Sequence, residues 1–141
     1  MRLDQLLKAG IAVGLGSDVA AGPELIMWQV MRAAIDVQKA RASYERNLRP
    51  LRPAEAFYLA TVGGARALGK ATEIGTLDPG KEADLVLIDV GATLPYADVR
   101  YSNDELSPED ILALCIYRGG PQATVEAFVR GKSVYQRRNL N

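Results

Sequence analysis

The residues Ile11-Ala12-Val13-Gly14-Leu15-Gly16 constrain the fold more than any other stretch, because they form an uninterrupted apolar run bounded by turn signals. A short run of this kind reads as a strand buried on both faces, parallel to its neighbours if helices cover the sheet. The flanks agree with that reading. Leu3, Leu6 and Leu7 share one face of a helix over residues 2–9, which Lys8 and Gly10 are placed to stop. After the run, Ser17 to Gly22 make a small-residue loop with one charge, Pro23 suits the first position of a helix, and Glu24 complements its dipole. That helix is predicted to run to about Tyr44, burying Met27, Val30, Met31, Ala34 and Val37 at three- and four-residue spacing.

A polar linker, Arg46 to Arg52, leads into a helix that starts at Pro53, carries Ala56, Phe57, Ala60, Ala67 and Leu68, and ends at Gly69. Gly63-Gly64 inside it should cost roughly 1 kcal/mol each against alanine. Close packing of another backbone would justify that cost; a break in the helix is the alternative. Near residues 70–75 the pattern changes. Pro79-Gly80 predicts a type II turn with the glycine at positive φ. Leu85-Val86-Leu87-Ile88 follows as a strand apolar on both faces, and residues 91–106 are irregular. Ser107-Pro108-Glu109-Asp110 is a helix start with a serine cap. Alternation of Val125, Ala127 and Val129, a turn at Gly131-Lys132, then Val134 and Tyr135 predict a closing hairpin. The chain therefore divides into residues 1–72, helices around one strand, and residues 73–141, mostly strands with a helix over 107–117.

Composition narrows the function. Lys plus Arg and Asp plus Glu number 17 each, so no basic excess is present to attract nucleic acid or an anionic membrane. No apolar run is long enough to span a bilayer, and the N-terminus has no signal-peptide pattern. The lone Cys115 cannot form an internal disulfide, which points to a reducing compartment and predicts the cytoplasm. It sits in an apolar run and reads as a core thiol. Most restrictive is the absence of histidine. Ser-His-Asp and Cys-His catalysis are excluded, and so is a histidine-built zinc site made by this chain alone.

One place looks like a site. Gly14-Leu15-Gly16-Ser17-Asp18 sends a carboxylate out past the end of the predicted strand, among small residues that leave room for a ligand. In α/β sheets and barrels that end is where active sites lie. By local pattern alone, Asp18 as a cap on the following turn is the favoured reading. A dinucleotide loop is disfavoured, since Val19 stands where that fingerprint needs glycine or alanine, and no Gly-Lys-Ser/Thr follows. Lys81-Glu82-Ala83-Asp84, beside a tight turn, reads as a solvated face.

Three segments resemble the amidohydrolase superfamily. Val13-Gly14-Leu15-Gly16-Ser17-Asp18 is similar to its last barrel strand, Pro79 through Asp89 to the return into its small β-domain, and Val125 through Tyr135 to its closing hairpin. Within the superfamily the likeness extends to guanine deaminases. Asp18-Val19-Ala20-Ala21-Gly22 resembles their loop, Glu55 through Ala65 their double-glycine helix, and Val99 through Asn103 and Phe128 through Lys132 two further stretches. Gly119-Gly120-Pro121-Gln122 departs from their pattern, which leaves a related purine or triazine deaminase open.

The resemblance implies an α/β fold: part of a (β/α)₈ barrel, its last strand and flanking helices, followed by strands of a small β-sandwich domain. It implies zinc held by histidines on earlier strands and by an aspartate on the last, which maps onto Asp18. Such a carboxylate can accept a proton from the attacking water and return it to the leaving amine, turning guanine into xanthine and ammonia. The histidines, the assisting glutamate and the purine-binding groups would lie upstream of these residues. A full barrel takes roughly 250 residues, and Met1 falls within the equivalent of the seventh barrel helix, so the chain is expected to be a segment, inactive alone and binding no metal of its own. A chain that completes a barrel supplied by another polypeptide, and a non-catalytic binding domain, are the other readings. Either barrel reading leaves apolar surfaces that predict self-association or a complementing chain.

Overall fold

The computed structural model describes residues 1–22, 24–94 and 106–138. The expected placement of Pro23 and the Val99–Asn103 stretch therefore lie outside the described residues. Helix α1, Leu3–Lys8, stops as its sequence requires: Gly10 takes φ 73°, and the Ile11 N–H donates to the Leu6 carbonyl at 3.0 Å. Of its leucines, Leu3 is buried and Leu7 is exposed.

Helix α2, Met27–Tyr44, starts later than the expected Pro23–Glu24, with Ile26 extended at its N-cap, while the Glu24 carboxylate accepts the N–H groups of Leu25 (2.9 Å) and Ile26 (3.1 Å) ahead of it. Its buried stripe is Met31, Ile35 and Gln38, at spacings of four and three. Val37, expected inside, is exposed, because a position two residues past Ile35 lies about 200° round the helix. The buried Gln38 accepts from Arg41 at 3.0 Å, and Arg41 also pairs with Asp4 at 3.3 Å and Glu45 at 3.0 Å, tying α1 to the end of α2.

The predicted helix from Pro53 is present but not uniform. Helix α3, Pro53–Tyr58, passes into a π-helical turn, Leu59–Gly63, and then into α4, Gly64–Ala67. The Glu55 carboxylate accepts the Arg52 N–H at 2.9 Å at its start, and Gly69 at φ 69° ends it. Ala67 and Leu68, expected in the core, are exposed in this last turn. Helix α5, Pro108–Arg118, is capped as predicted, with the Asp110 N–H donating to Ser107 Oγ at 3.2 Å. Cys115 on α5 is buried, and burial pushes its thiol pKa up, so it stays a protonated core residue.

These helices enclose the core of Leu3, Met31, Ile35, Leu51, Ala56, Leu59 and Ile116, against which Val13, Leu15, Trp28 and Tyr117 pack. Residues 11–16 lie on this core but join no ladder, which corrects the expected strand and leaves the expected barrel sheet unformed among the described residues. Their exposure still alternates, Val13 and Leu15 half-buried and Ala12, Gly14 and Gly16 exposed, as in a strand. A parallel strand draws its hydrogen bonds from neighbouring strands, and none of the described residues flanks this run with one.

The second part is a single three-stranded antiparallel sheet in the order β1 (Leu85–Ile88), β2 (Thr124–Val129), β3 (Lys132–Gln136). Among the described residues no second sheet packs on it to make the expected sandwich. Val86 and Leu87 are exposed in consequence, although the sequence predicts burial on both faces. The hairpin turns at Arg130-Gly131, φ 50° and 73°, one residue before the expected position and with the double positive φ of a type I′ turn. Asp84 holds that turn by accepting the Arg130 N–H at 2.7 Å, while Glu82 pairs with Arg130 at 3.4 Å. The Lys81–Asp84 charges are thus structural, with Glu82 and Asp84 exposed as predicted.

Candidate functional site

The helical layer positions the segment that carries Asp18 through its backbone. The Leu15 N–H donates to the Leu59 carbonyl in the π-helical turn at 3.0 Å. A Cβ on Gly63 would stand 2.7 Å from the Val13 carbonyl oxygen, and a Cβ on Gly14 would stand 2.7 Å from the Gly64 Cα. Real Cβ atoms do not come this close, so the two backbones pack where a side chain cannot fit. Close approach and a departure from regular helix, the two accounts of Gly63-Gly64 that sequence offers, both hold here.

Beyond Gly16 the chain winds into a tight loop. Asp18 takes φ 50° and Ala20 φ 78°, and the Asp18 carbonyl accepts the N–H groups of Ala21, at 3.0 Å, and Gly22. Aspartate tolerates the left-handed region, but alanine there costs roughly 1–2 kcal/mol. Strain of this kind persists only where the surroundings impose it. Gly22 is required, because a Cβ on it would overlap the Ser17 carbonyl oxygen.

The Asp18 side chain is exposed. The bonds that close the turn reach its main-chain carbonyl, and among the described residues no hydrogen bond or ion pair reaches its carboxylate. A side-chain cap is therefore not what this loop uses Asp18 for. The Glu24 carboxylate braces the backbone just ahead of α2 through the Leu25 and Ile26 N–H groups, and among the described residues no side chain caps the helix itself. The 570 Å³ cleft between α1, the end of α2 and residues 45–51 is lined by Leu3, Asp4, Lys8, Arg46 and Glu55 among others, and not by Asp18.

Such a carboxylate can ligate a cation or relay a proton, but it cannot form a metal centre alone. Zinc sites use three or four protein ligands. The sequence has no histidine, and among the described residues no three Cys, Asp or Glu side chains cluster for a metal. The residues present do not fit a zinc ion by themselves.

The amidohydrolase family matches this sequence over residues 1–131. The chain belongs to that family. Guanine deaminase of Escherichia coli K12 is 38% identical over 127 residues, 90% of this chain and 27% of that protein. Its solved structure superposes with a TM-score of 0.83 at 34% identity, covering 97% of this chain and 30% of the other. Guanine deaminase from C. acetobutylicum, solved with guanine in its active site, gives a TM-score of 0.79 at 26% identity, covering 96% and 30%. An adenosine deaminase from Xanthomonas campestris, solved with bound zinc, gives 0.70 at 29%, covering 91% and 26%. This amidohydrolase chain thus spans between 26% and 30% of the length of these relatives. Its fold matches theirs over the share of this chain that each covers.

Proposed function

We propose that this chain supplies the aspartate-bearing end of a guanine deaminase-type active site, acting on the C–N bond of a cyclic amidine. Asp18 carries the proposal: its exposed carboxylate has no partner among the described residues and follows a segment clamped to the helical layer. In the complete site it accepts a proton from the attacking water and delivers it to the departing amine. A leaving amide ion would be far too basic, so this return of the proton decides whether ammonia can leave. Guanine and water then give xanthine and ammonia. The donors that complete a zinc site lie outside these residues, and the isolated chain is inactive. Residues 1–72 close the barrel and residues 73–141 belong to the small β-domain. The lone buried thiol and balanced charge fit a cytoplasmic enzyme that binds a small purine and neither nucleic acid nor membrane.

One observation favours a second reading, a chain that completes a barrel made by another polypeptide: residues 11–16 have the burial of a strand and no ladder. Replacing the matching stretch of E. coli guanine deaminase with this chain tests the first reading. The graft should release ammonia from guanine, and Asp18→Asn should lower kcat by about a hundredfold or more. Activity indifferent to Asp18→Asn removes the assigned role. An inactive graft, together with co-purification of this chain with a histidine-rich zinc polypeptide, favours the second reading.

A further inference from the structure

We infer that the π-helical turn Leu59–Gly63 positions Asp18, with Gly63 as a positioning residue that acts through the backbone of Val13 and Leu15. The inference rests on the catalytic reading of Asp18. A carboxylate that serves at a reacting centre has to be held to about half an ångström. Loops hold side chains less precisely than strands do, and among the described residues no ladder fixes residues 11–16. Among the described residues, what fixes them is the helix. A π-helical turn adds a residue to the backbone ring, a departure often found beside functional sites. Here Leu59, the first residue of that turn, accepts the Leu15 N–H at 3.0 Å.

The two adjacent glycines separate the roles. A Cβ on Gly63 would press on the Val13 carbonyl oxygen at 2.7 Å and on the Tyr58 carbonyl oxygen at 3.2 Å, both backbone atoms that cannot swing away. A Cβ on Gly64 would meet nothing nearer than the Leu59 carbonyl oxygen at 3.8 Å, an ordinary contact. A methyl at position 63 must therefore push Val13 outward and break the Leu15 bond, while one at 64 need not. From Leu15 the displacement reaches Asp18 in three residues, because the loop that follows is closed on the Asp18 carbonyl.

Nuclear magnetic resonance of the isotope-labelled full chain tests this without metal or activity. The unsubstituted chain should show a coupling across the hydrogen bond between Leu15 nitrogen and Leu59 carbonyl carbon. Its absence overturns the inference whatever the variants do. Gly63→Ala should speed hydrogen exchange at the Leu15 amide by about tenfold or more and shift the amide resonances of Asp18, Ala21 and Gly22, leaving β2 and β3 unmoved. Gly64→Ala should do neither. Equal effects from both alanines, or an unchanged Leu15 amide in Gly63→Ala, overturn it. Should Gly63→Ala fail to fold, the coupling in the unsubstituted chain decides. Asp18→Asn leaves that coupling in place, so a failure of the catalytic reading remains distinguishable. In the grafted enzyme Gly63→Ala should lower kcat by about ten- to a hundredfold with KM held within about twofold; equal losses from Gly64→Ala contradict the assignment.

Discussion

Residues 11–16 and strand β1 have similar apolar side chains and very different surroundings. β1 is paired with β2 along its length, Val86 opposite Ala127 and Leu87 opposite Glu126. The carboxylate at its entry, Asp84, is consumed by the hairpin turn. Residues 11–16 instead hang on a helix by the Leu15 amide and by glycine contacts, and the carboxylate that follows them, Asp18, stays unpartnered among the described residues. A strand is a property of a pair, and the chain contains β1's partner. The difference also separates a carboxylate that the fold uses from one to which the proposed function gives a role. Asp84 is where the fold needs a side-chain bond, while the Asp18 loop is closed on its main-chain carbonyl and, among the described residues, leaves the carboxylate without a bond.

The largest effect expected is on the layer that holds residues 11–16. Ile35→Ala empties a fully buried position and should cost about 3 kcal/mol in urea unfolding. If the hairpin amides lose protection together with Leu15, the two regions unfold as one unit; hairpin protection that survives separates them. Gly63→Ala should follow at about 2 kcal/mol from overpacking against the Val13 carbonyl. Gly64→Ala should be neutral or stabilising by up to about 1 kcal/mol, since helix propensity favours it. Asp84→Ala should cost about 1 kcal/mol by stranding the Arg130 N–H, whereas Asp18→Ala should leave stability within about 0.5 kcal/mol. An Asp18→Ala loss as large as that of Asp84 would erase the contrast.

The smallest effect concerns pH. The Arg137 guanidinium, 2.9 Å from Asp89, holds the Asp89 carboxyl below its ordinary range. A depressed carboxyl stabilises the fold above the unfolded-state pKa, and this contribution is lost as pH falls through the folded-state value. Stability should therefore decline below about pH 4. Both side chains are about one-third exposed, so the step should be under 1 kcal/mol. Arg137→Gln should flatten it.

The helices were legible in sequence because their signals are local: Gly10 and Gly69 as stops, and Ser107 with Asp110 as a cap. The hairpin was legible for the same reason, although its turn sits at Arg130 because arginine adopts a positive φ there. Asp18 stood out as a charge among small residues after an apolar run. What stayed hidden depends on atoms far along the chain. The burial of Leu85–Ile88 and the ladder for residues 11–16 required neighbours that apolar composition calls for and cannot supply. The π-helical turn arises where two backbones meet at Gly14, Gly63 and Gly64, a contact no window of sequence contains. The start of α2 at Met27 instead of Pro23 was also hidden, because Leu25 and Ile26 fit an apolar helical face as readily as the extended lead-in they form.

On the proposed reading this chain brings one site carboxylate, and the other ligands of the metal centre lie outside it. Zinc analysis of the purified chain, after loading with the metal and dialysis against a weak chelator, tests this most directly. The expected result is zinc far below stoichiometric and no difference between the unsubstituted chain and Asp18→Asn. One zinc retained per chain, lost in Asp18→Asn, would contradict it.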